Sequence, residues 1–284
     1  MFSKLLKYEW KASWRLLSIL SLAAIGAALV GTIALRVLVN YGDRLSESNS
    51  YLTLLLMPLS LLVFVSFMVL VIYAAAVLFV LLFRFYKNKF TDEGYLTFTL
   101  PVTNHQIFLS SAVNMLIWSV ISVVLVILLF VVMILIGTST SGFINMELIR
   151  DIQSMEEIWR ALAQAYGKIL GDSYGILTLI SILLTPVYNV VLAMTCITLG
   201  AVVAKKHKIL AAIGIYYGAN TVLSILSSAI TTVPSLMFIG NDGLAFSDRY
   251  FTLTMVAQLL IYAAVIVGGY FLSTKLMKNK LNLP

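Results

Sequence analysis

Two adjacent carboxylates, Asp92 and Glu93, followed by Gly94, Tyr95, Leu96 and Phe98, are the residues best suited to act on another molecule. The chemistry they offer is docking. They lie in RFYKNKFTDEGYLTFTLPVTNHQ, residues 84–106, a polar stretch in a chain that is 61% hydrophobic. Thr91 is placed to cap a short helix whose first turn holds both acids, where the helix dipole favours negative charge. Pro101 interrupts the chain, and Thr103 with Gln106 fits a capping box that starts the next helix. A short helix with Phe90, Tyr95, Leu96 and Phe98 exposed presents an apolar and acidic surface shaped to enter a groove on a cytosolic partner.

A second set of polar side chains lies inside long apolar runs. Thr178, Ser181, Thr185, Tyr188 and Thr195 share one helical face, as do Tyr216, Asn220, Ser224, Ser227 and Thr231. Ser111, Asn114, Trp118 and Ser122 form a weaker set. Such stripes avoid lipid. Two readings stand: Thr178, Thr185, Tyr188, Tyr216, Asn220, Ser224 and Ser227 line a translocation path, or the stripes are interhelical glue worth about 1 kcal/mol or less per contact. Ala27 with Gly31, Gly214 with Gly218, and Ala264 with Gly268 are small pairs at GxxxG spacing that permit close helix approach. The first two pairs mark a candidate dimer interface.

Bond-making chemistry has little support. The chain carries no HExxH, GxSxG, paired-cysteine metal motif or GxxxxGKS/T phosphate loop, so no enzyme, metal or cofactor is expected in it. Its sole cysteine, Cys196, lies in an apolar run and reads as a packing residue. Ionisable groups are scarce inside the runs, Arg36 near one end being an exception, which argues against ion-coupled transport.

The elements that must position these residues are membrane helices. At 11% charged residues the composition is far from that of soluble domains. Six runs reach the roughly 20 residues needed to cross a bilayer: 16–39, 53–83, 107–136, 176–204, 209–233 and 252–274. Pro58 and Pro186 fall inside the second and fourth. Thirteen of the nineteen basic residues cluster in four flanking segments: Lys4, Lys7, Lys11 and Arg15; Arg84, Lys87 and Lys89; Lys205, Lys206 and Lys208; Lys275, Lys278 and Lys280. By the positive-inside rule both termini and the 84–106 connection are cytoplasmic. The excess positive charge flanks membrane spans instead of forming a soluble basic face, so nucleic acid is not an expected partner.

The expected organisation is all-α and polytopic. Residues 1–15 form a cytoplasmic interfacial helix with Lys4, Lys7, Lys11 and Arg15 on one edge and Phe2, Leu5, Leu6 and Trp10 on the other side. Glu9 projects from that apolar face and either meets a partner or snorkels to water. A six-helix domain spans 16–274, and a cytoplasmic tail follows at 275–284. Between the third and fourth spans, the outer segment 137–175 repeats Ile149, Ile152, Met155, Trp159, Leu162, Tyr166 and Ile169 at three- and four-residue steps, an amphipathic pattern. It reads as a packing lid or as a surface that touches substrate. Residues 231–251 are too apolar for a solvated loop and too interrupted by Pro234, Gly240 and Gly243 for a crossing, which suggests a re-entrant segment.

With FSKLLKYEWKA at the start, six spans, and TDEGYLTFTLPVTNHQIFLSS between the second and third, the chain resembles type-2 ATP-binding-cassette (ABC) exporter permeases of Gram-positive bacteria along essentially its full length. The resemblance implies a multi-pass permease of the bacterial cell membrane that pairs with a second permease, identical or paralogous. Two separate ATPase subunits would bind ATP and Mg. Residues 1–15 would be the elbow helix, with Lys4, Lys7, Glu9, Lys11 and Arg15, and Asp92, Glu93, Gly94, Tyr95, Leu96 and Phe98 would be the coupling element entering the ATPase. Among such relatives the nearest type exports amphipathic peptides, as phenol-soluble modulin exporters and bacteriocin immunity systems do. The long 137–175 segment departs from the family pattern. An ion-coupled secondary transporter and a non-transporting sensory or structural membrane component are the alternatives.

Overall fold

A computed structural model describes residues 2–48, 50–91, 94, 97, 99, 101–138, 160, 173–204, 207–237 and 243–279, with side chains placed except at 41–48, 50–55, 138, 173–174, 233–237, 243–249, 251 and 279. The outer segment around 149–169 therefore lies outside the described residues apart from Arg160, as does the centre of the 231–251 segment.

Six long helices carry the described chain: α1 (Phe2–Ser48), α2 (Ser50–Phe90), α3 (Asn104–Thr138), α4 (Ser173–Val203), α5 (Lys208–Met237) and α6 (Gly243–Asn279). Each contains a stretch long and apolar enough to cross a membrane, and the six stretches coincide with the six expected runs. Lipid offers the backbone no hydrogen bonds, so a chain of this composition satisfies its amides within helices. Leu22, Met57, Phe79, Leu183 and Leu210 point outward, the arrangement of a multi-pass membrane protein whose apolar exterior meets lipid. Pro58 and Pro186 sit inside helices that continue past them. No secondary-structure break separates the amphipathic residues 2–15 from the first span; they form one helix.

The chain divides into two compact units. One comprises 10–81 and 117–162, and its helices meet through small and aromatic residues. Gly31 of α1 lies against Ser66 of α2 and Met133 of α3, so closely that a methyl group there would overlap the Ser66 side chain. Gly137 of α3 packs likewise on Leu35 of α1. Ser21 and Tyr73 share a hydroxyl hydrogen bond of 2.8 Å, and the Phe67 and Phe130 rings stack at 5.2 Å. Trp10 stacks on Trp118 at 4.8 Å with Trp14 against both, so protein covers part of the apolar face of the amino-terminal segment.

The other unit comprises 1–9, 82–116 and 163–284. Here α4 packs against both α5 and α6. Gly200 abuts the backbone of Ala212 in α5, and Gly269 of α6 abuts Thr195 and Val191 of α4. At each contact the missing side chain lets two helices approach closely. Tyr188, Leu192 and the buried Cys196 form the core, joined by Tyr216 and Leu223 of α5 and Tyr262 and Val265 of α6.

Candidate functional site

The site is built where α2 ends and α3 begins. Lys87 and Lys89 occupy the last turn of α2, where positive charge complements the carboxyl end of the helix dipole. Lys89 turns inward and is almost fully buried. Its Nζ lies 3.2 Å from Oε1 of Glu9, and the two side chains are 6% and 17% exposed. The same carboxylate oxygen accepts a 2.6 Å hydrogen bond from the Ser111 hydroxyl in the second turn of α3. Glu9, placed by sequence on an apolar face, thus has both a cation and a hydroxyl. An ion so buried needs such partners to offset the loss of water.

Further polar contacts join the described residues that follow α2. The Thr91 hydroxyl donates to the Lys87 carbonyl at 2.5 Å, closing the last turn of α2. Gly94 N then donates to Thr91 O at 2.7 Å, and the Thr97 hydroxyl reaches back to the Asn88 carbonyl at 3.1 Å. Gly94 and Thr97 are helical, and Gly94 is buried. Asp92, Glu93, Tyr95, Leu96 and Phe98 lie outside the described residues. Phe90, expected on the outer surface, is instead buried, edge-on to Phe85 at 5.6 Å and stacked with Tyr86 at 6.3 Å. Burying its apolar area beside Phe85 is more favourable than leaving it in water.

The α3 start follows its sequence signal: Gln106 N faces the Thr103 hydroxyl at 3.4 Å and donates to the Thr103 carbonyl at 2.9 Å. That first turn carries His105, whose Nδ1 shares a 2.9 Å hydrogen bond with the Tyr270 hydroxyl of α6. Phe108, one turn on, meets the Tyr270 ring edge-on at 5.7 Å.

The remaining candidate residues separate by exposure. Lys4, Lys7, Lys11 and Arg15 are exposed. Ser111, Asn114, Trp118 and Ser122 of α3 are buried. On the α4 stripe, Ser181 bonds the Thr178 carbonyl and Thr185 the Ser181 carbonyl, each at 2.7 Å. On α5, the Asn220 amide bonds the Tyr216 carbonyl at 3.1 Å and Ser224 bonds the Thr221 carbonyl at 2.8 Å. These groups satisfy themselves on their own helix, while Ser224 stays exposed and Ser227 half-buried. Hydroxyl bonding between helices occurs lower on α4: Ser273 of α6 lies 3.1 Å from Thr195 and 3.2 Å from Thr198. Tyr188 stacks on Tyr262 at 4.6 Å. Gly214 and Gly218 have open space where a side chain would stand, and Ala27 is half-buried, whereas Gly31 is occupied within the chain.

Sequence reasoning passed over Lys89 as a site residue, and also Tyr270, Tyr262, Thr198 and Ser273. The carboxylate of Glu9 on an apolar face left a partner or snorkelling open, and the structure supplies the partners Lys89 and Ser111. Nothing local marks Tyr270 as the partner of a histidine 165 positions away. Among the described residues no three His, Cys, Asp or Glu side chains converge to hold a metal. In comparisons with known proteins, no family model, curated protein or solved structure matches this chain.

Proposed function

We propose that this chain is the permease subunit of an ATP-driven ABC exporter of the bacterial cell membrane, moving amphipathic peptides out of the cell or its membrane. The observation that carries the reading is the set of contacts made by the described residues between α2 and α3. Thr97 is tied back to Asn88 of α2 and Gly94 to Thr91, and the carboxylate of Glu9 secures the amino-terminal helix to Lys89 and Ser111. A connection that only reversed chain direction would need none of these contacts. A docking element that receives force from a soluble motor needs them, because a loosely held helix would absorb the push.

In this reading Asp92, Glu93, Tyr95, Leu96 and Phe98 contact a separate ATPase, two copies of which serve two permeases. ATP and Mg reside in those subunits. The exposed edge of Lys4, Lys7, Lys11 and Arg15 meets anionic headgroups of the cytoplasmic leaflet. The exposed Tyr217 and Ser224 of α5, beside the half-buried Tyr216 and Asn220, suit an amphipathic peptide better than a small ion. The reading predicts an ABC ATPase gene beside this one, and co-expression with that ATPase tests the assignment. A stable complex that hydrolyses ATP and exports an amphipathic helical peptide from proteoliposomes supports it. Ion-gradient-driven transport by this chain alone, or a complex that moves no peptide, favours a secondary transporter or a sensory component respectively.

A further inference from the structure

The first turn of α3 makes a polar contact with α6. His105 sits in the first turn of α3, immediately after the α2–α3 connection, and its side chain is exposed. Tyr270 lies on α6, and its hydroxyl meets His105 Nδ1 at 2.9 Å while its ring packs against Phe108. Gly269, the preceding residue, packs directly against Thr195 and Val191 of α4. Ser273, three residues on, bonds Thr195 and Thr198 on the same face of α4. From Thr198 the next step along α4 is Gly200, seated on the Ala212 backbone of α5. Each link is a direct contact between groups with little room to yield.

We infer that the His105–Tyr270 hydrogen bond is the coupling strut of this permease: it transmits displacement of the α2–α3 docking element to α6, and through Gly269 and Ser273 to α4 and α5. The inference rests on the exporter reading and adds positioning residues remote from the ATPase contact. A packed bundle moves as a body when pushed at a stiff point, and glycine contacts leave no slack to absorb the motion. The Phe108 contact holds the Tyr270 ring in place. The hydroxyl ties that ring to the turn that moves.

The test uses the reconstituted complex of permease and ATPase, with peptide exported per ATP hydrolysed as the readout. Tyr270→Phe keeps the ring and removes the hydroxyl; His105→Ala removes the other half at an exposed position. Each is expected to leave assembly and ATP hydrolysis at the wild-type level and to lower peptide exported per ATP about fivefold, the scale of one lost hydrogen bond. The double variant should be no worse than either single one, since both remove the same bond. His105→Asn, which offers a hydrogen-bonding atom near the Nδ1 position, should recover most of the loss. Unchanged export per ATP in both single variants, additive losses in the double variant, or no recovery with Asn overturns the strut while the exporter reading stands. A wild-type chain that binds no ATPase overturns both. Should Tyr270→Phe fail to accumulate, the Ala and Asn variants at His105 decide the matter.

Discussion

Lys89 Nζ lies 3.2 Å from Glu9 Oε1, joining residues 80 positions apart at the edge of an apolar bundle. The pair fixes the amino-terminal helix against the end of α2, and Ser111 extends the fixation to α3. Its worth lies in what happens when one partner is lost. Desolvation makes a buried ion pair a poor source of net stability, but a lone buried ammonium is costly.

Glu9→Gln keeps a group able to bond Ser111 and strips Lys89 of its counter-charge. It should destabilise the protein by about 3 kcal/mol, the lower end for an unpaired buried ion because Glu9 retains some access to water. Glu9→Leu with Lys89→Met should regain most of that loss, since apolar replacement of a buried pair is near neutral. Thermal unfolding in detergent checks both; equal melting temperatures for Glu9→Gln and wild type would mean that the pair is held open to water.

The small-residue positions should respond in opposite ways. Gly31→Ala drives a methyl group into Ser66 and should cost about 1–3 kcal/mol. Gly214→Ala meets open space within the chain and should leave monomer stability within about 0.5 kcal/mol. If the Gly214–Gly218 face seats a second permease, Gly214→Leu lowers the dimer fraction measured by mass photometry while the monomer still folds. An unaltered dimer would place the interface elsewhere.

Replacing Ser224 or Thr185 by Ala removes a hydroxyl bonded only to its own helix, Ser224 to Thr221 and Thr185 to Ser181. Melting temperature should change little, by about 0.5 kcal/mol in stability terms. Ser273→Ala breaks contacts to two α4 hydroxyls and should cost about 1 kcal/mol. If the exposed stripe contacts cargo, Ser224→Ala alters peptide export without altering stability. Loss of stability in Ser224→Ala matching that in Ser273→Ala would assign the stripe to helix glue.

What the sequence made legible follows the range of each signal. Span number and limits depend on apolar runs, a local property that lipid enforces on every residue, and the six runs coincide with six helices. The Thr103–Gln106 start of α3 is equally local and was equally readable. The bond from the Thr91 hydroxyl to the α2 carbonyl of Lys87 was not read from the sequence, because a residue beyond a helix end can serve the backbone on either side. Phe90 misled because hydrophobicity near a docking motif does not say which way the side chain faces, and it packs inward against Phe85 and Tyr86. The Glu9 carboxylate left a partner or snorkelling open. Lys89 was one of several basic residues near its level, and only tertiary packing distinguished them. For Tyr270 and Ser273 no local pattern exists; their roles arise from the register of α6 against α3 and α4.

The most direct test of the central claim combines Asp92→Ala, Glu93→Ala and Tyr95→Ala and measures two things together: co-purification of the ATPase and ATP-driven peptide export from proteoliposomes. A wild-type complex that exports peptide, beside a triple variant that inserts normally, loses most of its bound ATPase and falls at least about tenfold in export, is the predicted result. Retention of both complex and export by the triple variant would contradict the assignment of the α2–α3 connection as the site where a motor attaches.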